Sequence, residues 1–375
     1  MIDVPKHGTP TVGSRLGNGS VSQRLELYIC ATTADAMATT PQVDTLLASP
    51  EPSVRYKVRV GVLGESESSR TIRSLRRDIR ASPRVAALLA GRAGDGRLLR
   101  GSGVYQKWQG AHWVMAALAD LGYPPGDRDL VPMRDQLLDA WLAPEFYDEF
   151  DCPSKAKAYS RRGVPVMRGR YRRCASQQGN ALYAIVTLGL ADERTEALVE
   201  RLLHWQWPDG GWNCDKDPGA DSSSFMETLT PLRGLAAFAR HSGEARVADA
   251  VRRAANIFLE RQLYKRRSTG TVIRGEFVQL HYPLYWHYDI LGGLKVMAEA
   301  GFIRDPRCGA ALELLAGKRL PDGGFPAEAR HYKITGRVEL GADAVDWGGT
   351  SKRVANPWVT ADALSVLTAA GSVPA

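Results

Sequence analysis

The sequence predicts an all-α chain of inner and outer helices closed into a double ring, an (α/α) toroid. Three observations predict it. Five segments rich in Ala, Leu and Gly and poor in charge each run to a glycine: Gly110 to Gly122, Gly179 to Gly189, Ser224 to Gly243, His287 to Gly301 and Val359 to Gly371. A helix apolar on most sides is expected to be buried on most sides, so these read as inner helices. The segments Asp192 to His204, Glu244 to Leu263 and Asp305 to Leu315 carry charge on one face and read as outer helices. A Gly-containing turn joins outer to inner helix repeatedly, at Ala93-Gly94-Asp95-Gly96, Pro208-Asp209-Gly210-Gly211-Trp212 and Pro321-Asp322-Gly323-Gly324-Phe325. The unit recurs every ~50 to 70 residues, longer than common solenoid units, which leaves room for loops on one face.

Taken in order, residues 1–42 differ from the rest. Gly, Ser, Thr and Ala dominate Thr9 to Thr40 around a short apolar patch, Leu25 to Cys30, so a poorly ordered extension or a mis-assigned start is expected there, followed by one helical domain over 43–375. Val43, Leu46 and Leu47, and then Ser68 to Leu89 with apolar residues at helical spacing, predict two lead-in helices. The best-marked unit is His204 to Asp215, continuing to Glu227. Leu198, Leu202 and Leu203 end an outer helix, Pro208 to Gly211 force a tight turn, and a second helix starts near Ser224. Ser224 is the expected N-cap, with Glu227 completing a capping box.

The 375 residues are 44% hydrophobic and carry a formal charge of +8. No run approaches the ~20 apolar residues that span a bilayer, and the start lacks a basic-apolar-small signal pattern. The charge comes from arginines spread along helices, with clusters at Arg168 to Arg173 and Lys265 to Arg267. No recognition motif or zinc-finger spacing accompanies them, so nucleic acid is not an expected partner. Peripheral membrane contact stays open. Five cysteines, an odd number in a long chain, point to a reducing, cytoplasmic compartment.

The turns Leu320 to Phe325 and Gln206 to Trp212 resemble the QW-type repeats of the squalene cyclase and protein prenyltransferase superfamily, and the resemblance covers roughly residues 80 to 375. The chain looks most like short bacterial proteins described as squalene-cyclase-like, which share its Gly-Gly-Trp-Asn-Cys, Ser-Ser-Phe and Trp-His-Tyr-Asp stretches. The resemblance implies an (α/α) barrel whose inner-helix N-termini open on a central cavity, and a terpenoid cyclase or prenyltransferase-like transferase, isomerase or lyase. The chain departs from the cyclases in lacking an Asp-x-Asp-Asp stretch. Asp148-Glu149-Phe150-Asp151 is acidic but falls in a predicted loop, and the chain is about half the length of a two-domain cyclase of that superfamily. Triterpene cyclisation is therefore disfavoured.

The prenyltransferase branch implies a zinc held by Asp and Cys near the start of one inner helix and by His at the start of the next. Here Asp221 is followed by Ser222 and Ser223, so serine stands at the cysteine position. Cys214 lies earlier in the same loop, Cys174 precedes the preceding inner helix, and His287 opens the following one. A Cys174/Cys214/His287 zinc site, with Asp215 or Asp221 as fourth or outer group, satisfies the rule that catalytic zinc keeps one open position. It resembles the Cys-Cys-His zinc of the lanthionine cyclases. His281 and His112 are spare ligands. The alternative is that the cysteines are small core residues.

Trp108, Trp212, Phe225, Tyr285, Trp286, Tyr288 and Trp347 cluster at inner-helix starts and are expected to line an apolar pocket and face cationic groups. Arg170 and Arg173 precede an inner helix, whose N–H groups favour anions, and are candidate diphosphate or carboxylate ligands. His112 and His287 are candidate acid–base groups, with Asp221 beside them in the catalytic set. Three functions follow: an enzyme on an isoprenoid or other apolar small molecule in the central cavity, as the resemblance and the aromatic helix starts imply, with or without zinc; a polysaccharide lyase with Arg170, His287 and Tyr288 along a groove; or a non-catalytic ligand-binding scaffold.

Overall fold

The computed structural model describes residues 41–101 and 103–371. The extension expected over 1–42 lies outside them, except for Pro41 and Gln42, which open the first helix. The described chain is mostly helical, with one small sheet. The lead-in region holds four helices rather than two: α1 (Pro41–Leu47), α2 (Pro52–Gly61), α3 (Arg70–Arg80) and α4 (Pro83–Leu89). Their boundaries follow from capping. Glu51, Ser69 and Ser82 each accept a backbone N–H of the first turn, and Pro52 and Pro83 occupy a first-turn position where no donor is needed.

The expected inner helices are α5 (Ala111–Leu121), α8 (Ser176–Thr187), α10 (Phe225–Ser242), α12 (Ile290–Glu299) and α14 (Pro357–Ala369). Gly122 and Gly243, both with positive φ, end α5 and α10. The expected outer helices are α9 (Glu193–Trp205), α11 (Ala245–Leu259) and α13 (Gly309–Ala316), joined by α6 (Val131–Trp141) and a single turn, α7 (Lys155–Ala158). α11 buries Val247, Val251, Ala254 and Phe258 at helical spacing, while Arg246, Asp249 and Arg252 stay exposed.

Packing runs in sequence order. α5 packs on α8, α8 on α10, α10 on α12 and α12 on α14, while α14 packs on α2 and α2 on α5. α2, expected only as a lead-in helix, thus stands between α14 and α5. On their other sides α5, α8, α10 and α12 carry α6, α9, α11 and α13.

The closest approach is between α8 and α10. A Cβ on Gly179 would lie 2.3 Å from Pro231 N, and one on Gly234 would lie 2.3 Å from Gly179 O. Backbone rests on backbone there, which only glycine permits.

An all-α chain was expected, but the segment between α6 and α8 folds a three-stranded sheet. β1 (Glu149–Asp151) pairs parallel with β2 (Val164–Met167), which pairs antiparallel with β3 (Arg170–Tyr171). Arg168 (φ 51°) and Gly169 (φ 67°) form the two-residue turn between β2 and β3, with positive φ at both positions. The sheet places the chain just before α8.

Buried charges gather between α2, α5, α10, α12 and α14. Lys57 of α2 bonds Asp120 of α5 (2.8 Å) and Asp362 of α14 (2.9 Å), and Lys295 of α12 bonds the same two carboxylates at 2.6 and 2.9 Å. Arg233 of α10 reaches Asp120 (3.1 Å) and Glu299 (2.6 Å) and lies 3.7 Å over the Tyr183 ring of α8. Burial alone would raise the Asp120 carboxyl; Lys295, Lys57 and Arg233 outweigh it and hold the group well below the usual carboxylate range. A cavity of about 410 Å³ adjoins the network.

Candidate metal centre

Cys174 and Cys214 meet because two chain segments run side by side. The turn Pro208 to Gly211 is closed by Trp207 N–H to Gly211 O (2.8 Å) and Gly210 N–H to Trp207 O (2.9 Å). A side chain on Gly211 would collide with Ser223 and Thr228, so glycine lets the turn sit on the start of α10. Asp209 accepts from the Ser223 N–H (2.7 Å) and hydroxyl (2.6 Å), which folds the rest of the loop back over the turn. Asn213 then pairs in parallel with Arg172 in an isolated β-bridge. Each cysteine follows its bridge by one or two residues.

The third group is Glu227, in the first turn of α10. The sulfurs of Cys174 and Cys214 and a Glu227 oxygen all lie within 4.8 Å of one another. Glu227 accepts from Ser176 N–H (3.2 Å) through Oε2 and from the Trp286 indole (3.3 Å) through Oε1. It makes no capping box, and Ser224 makes no side-chain cap bond. The expected cap residue is turned inward as a site residue instead.

The site's electrostatics are those of a proton-sharing, desolvated cluster. The hydrogen bond between the thiols lowers the Cys174 pKa and raises that of Cys214, so one sulfur is the better thiolate. Burial raises the Glu227 carboxyl, against hydrogen bonds from Ser176 and Trp286. Arg173 is drawn in beside them, its guanidinium stacked 4.0 Å over Phe146 and bonded to Gln177 (2.7 Å), with Nε left unpartnered. Lys107 lies 5.0 Å over the Trp286 ring.

Several expected site residues lie elsewhere. His287 is not the third group beside the thiols: its ring stacks on His331 at 3.8 Å, and only its neighbour Trp286 reaches Glu227. Asp221 and Asp215 are exposed on the loop. His112 is fully buried, accepts from the Trp141 indole at Nδ1 (3.2 Å) and meets the Asn180 amide at Nε2 (3.1 Å), and burial pushes its pKa down to about 3. Neither nitrogen is free for acid–base work. Trp212 is core, its indole bonded to Leu202 O. Phe225 and Tyr288 pack with Phe258 and Phe277, and the Tyr288 hydroxyl donates to Leu263 O. Tyr285 and Trp347 both donate to Asp343, and Trp108 stacks on Tyr285. Arg170 lies over Trp207 and joins neither His287 nor Tyr288 in a groove.

No protein-family model and no curated protein matches the sequence. The functional reading therefore rests on the cluster's own chemistry.

The role of His112 is open to measurement. His112→Ala leaves the Trp141 N–H and the Asn180 amide without partners and opens a cavity, so a loss of about 2–4 kcal/mol in urea unfolding is expected. The metal content of the variant should match that of wild type; a loss of metal with stability intact would return His112 to the site.

Proposed function

We propose that the chain is an (α/α) toroid enzyme with a zinc centre at the starts of two adjacent inner helices. The ring is supported by the packing order, in which α2, α5, α8, α10, α12 and α14 follow one another and the last returns to the first. The observation that carries the centre is the convergence of Cys174, Cys214 and Glu227 within 4.8 Å. The donor set fits zinc: two thiols and one carboxylate are accepted ligands, and three protein ligands leave a position open. Two thiolates and a carboxylate exceed the charge of the ion by one, and Arg173, with its free Nε, lies beside them to balance it. Without a cation the cluster buries a carboxyl and a thiol whose ionisation burial opposes; a dication relieves that cost by deprotonating both.

Bound there, zinc supplies a Lewis acid that lowers the pKa of a substrate thiol or water. The protein's part is to hold that group and its substrate: Arg173 and Lys107 favour an anionic portion, and the half-buried faces of Tyr105 and Trp286 an apolar one. Thiol or prenyl transfer and lyase reactions on a small, largely apolar molecule fit this division. They also agree with the resemblance of the Pro-Asp-Gly-Gly turns to the squalene cyclase and prenyltransferase superfamily.

The test is elemental analysis of protein purified without chelators. Wild type is expected to hold one equivalent of zinc more than Cys174→Ser or Cys214→Ser, with helical content unchanged. Equal zinc in all three, or none, would overturn the centre.

A further inference from the structure

Beyond the thiol cluster, the chain gathers three histidines that its sequence keeps apart. His281 and His287 come from the segment before α12, and His331 from the long connection before α14. The His281 and His331 rings are 4.8 Å apart and perpendicular (89°), His331 stacks on His287 at 3.8 Å, and His281 and His287 are 6.5 Å apart. Two imidazoles sharing one zinc through nitrogens at about 2.0 Å have centroids about 5 Å apart. The His281–His331 pair already has that spacing, whereas the His287 ring lies flat on His331 and must turn away from it to join them.

Two details set this group apart from ordinary core histidines. The His281 side chain is 2% exposed, yet its Nε2 has no hydrogen-bond partner, and the buried Nδ1 of His287 has none either. Buried polar atoms without partners are rare and costly, and an absent ion is one of their explanations. Asp289 supplies the second detail. Its Oδ2 lies 2.7 Å from His281 Nδ1, off the line of a good hydrogen bond, while also accepting the His281 N–H (2.8 Å). A carboxylate on one imidazole nitrogen with the other nitrogen free is the arrangement that orients metal-bound histidine. The Asp289 side chain is 1% exposed, and among the described residues its only ion-pairing partner is His281. A dication on Nε2 supplies the missing charge.

We propose that His281, His287 and His331 form a second metal site, which binds a transition-metal dication such as Zn²⁺ through neutral imidazoles with Asp289 orienting His281. His287 and His331 are only partly buried, which gives the ion a way in. The site shares no ligand with the thiol centre.

Cobalt separates the two, because thiolate ligation gives an intense charge-transfer band that imidazole ligation lacks. Wild type titrated with Co²⁺ is expected to bind two equivalents, only one of them with the thiolate band. The Cys174→Ser/Cys214→Ser double variant should keep the band-free equivalent, and His331→Ala or His281→Gln should lose it. Asp289→Asn, which can still cap α12, should weaken it roughly 10–100-fold. A single equivalent carrying the thiolate band would overturn the second site, as would a band-free equivalent indifferent to the histidine changes; an ordered water then satisfies these nitrogens. A band-free equivalent alone would retain this site and remove the thiol centre.

Discussion

Asp120→Asn is expected to destabilise the protein by about 3–5 kcal/mol, the range for removing one partner from a buried ionic cluster. Asparagine keeps the size of the side chain, so the loss is electrostatic. Lys57, Lys295 and Arg233 all bond Asp120, and the Tyr282 hydroxyl donates to it (3.0 Å). Removing its charge leaves three buried cations facing Asp362 and Glu299 alone. Urea unfolding followed by circular dichroism measures the effect. Its pH dependence has a definite sign. The folded carboxyl lies well below its ordinary value, so its contribution is fully present above the unfolded pKa of about 3.9 and is lost as pH falls toward the folded value. The difference between wild type and variant should therefore be constant near neutrality and narrow below that point. A difference that grew as the pH fell would contradict the assignment.

Gly234→Ala is expected to cost about 3 kcal/mol or more, at the upper end for overpacking, because the new methyl meets the Gly179 carbonyl and no flexible side chain stands between to yield. The effect should reach the metal centre. Cys174 lies just before α8 and Glu227 in the first turn of α10, so spreading these helices separates ligands. Lower thermal stability together with weaker zinc binding is the expected pair of results. Gly179→Ala spreads the same pair of helices, at Pro231 and Thr230, so the double variant should fall short of the sum of the two single effects. Full additivity would mean that the two substitutions do not act through one helix–helix spacing.

The helices were the most legible feature of the sequence, for reasons visible in particular residues. Gly122 and Gly243 stop α5 and α10 where φ must turn positive, and charge confined to one face marks α9 and α11 as outer helices. α2 was not distinguished from the lead-in helices because its apolar content is modest and Lys57 is buried in an ionic network whose partners lie far along the chain. The sheet was missed because three short strands beside a Gly turn carry too little periodicity.

At the site, both cysteines were legible from their places before inner helices. Glu227 was not, because a glutamate three residues after a serine has a local explanation as a capping box, and only the fold reveals that it turns inward. His331 gave no local signal at all. Aromatic residues at helix starts were read as a pocket; most prove to be core, since Trp212, Tyr285 and Tyr288 each spend their polar atom on a buried acceptor.

The bond between Lys57 and Asp362 joins positions 305 residues apart. Lys57 stays without one of its two carboxylates until α14 has emerged from the ribosome. An ammonium kept waiting in this way is better left in water than buried, so α2 should settle against α5 only when α14 arrives. The network makes native burial conditional on synthesis of α14, and a chain arrested before that point holds an uncovered flank for chaperones and proteases to find.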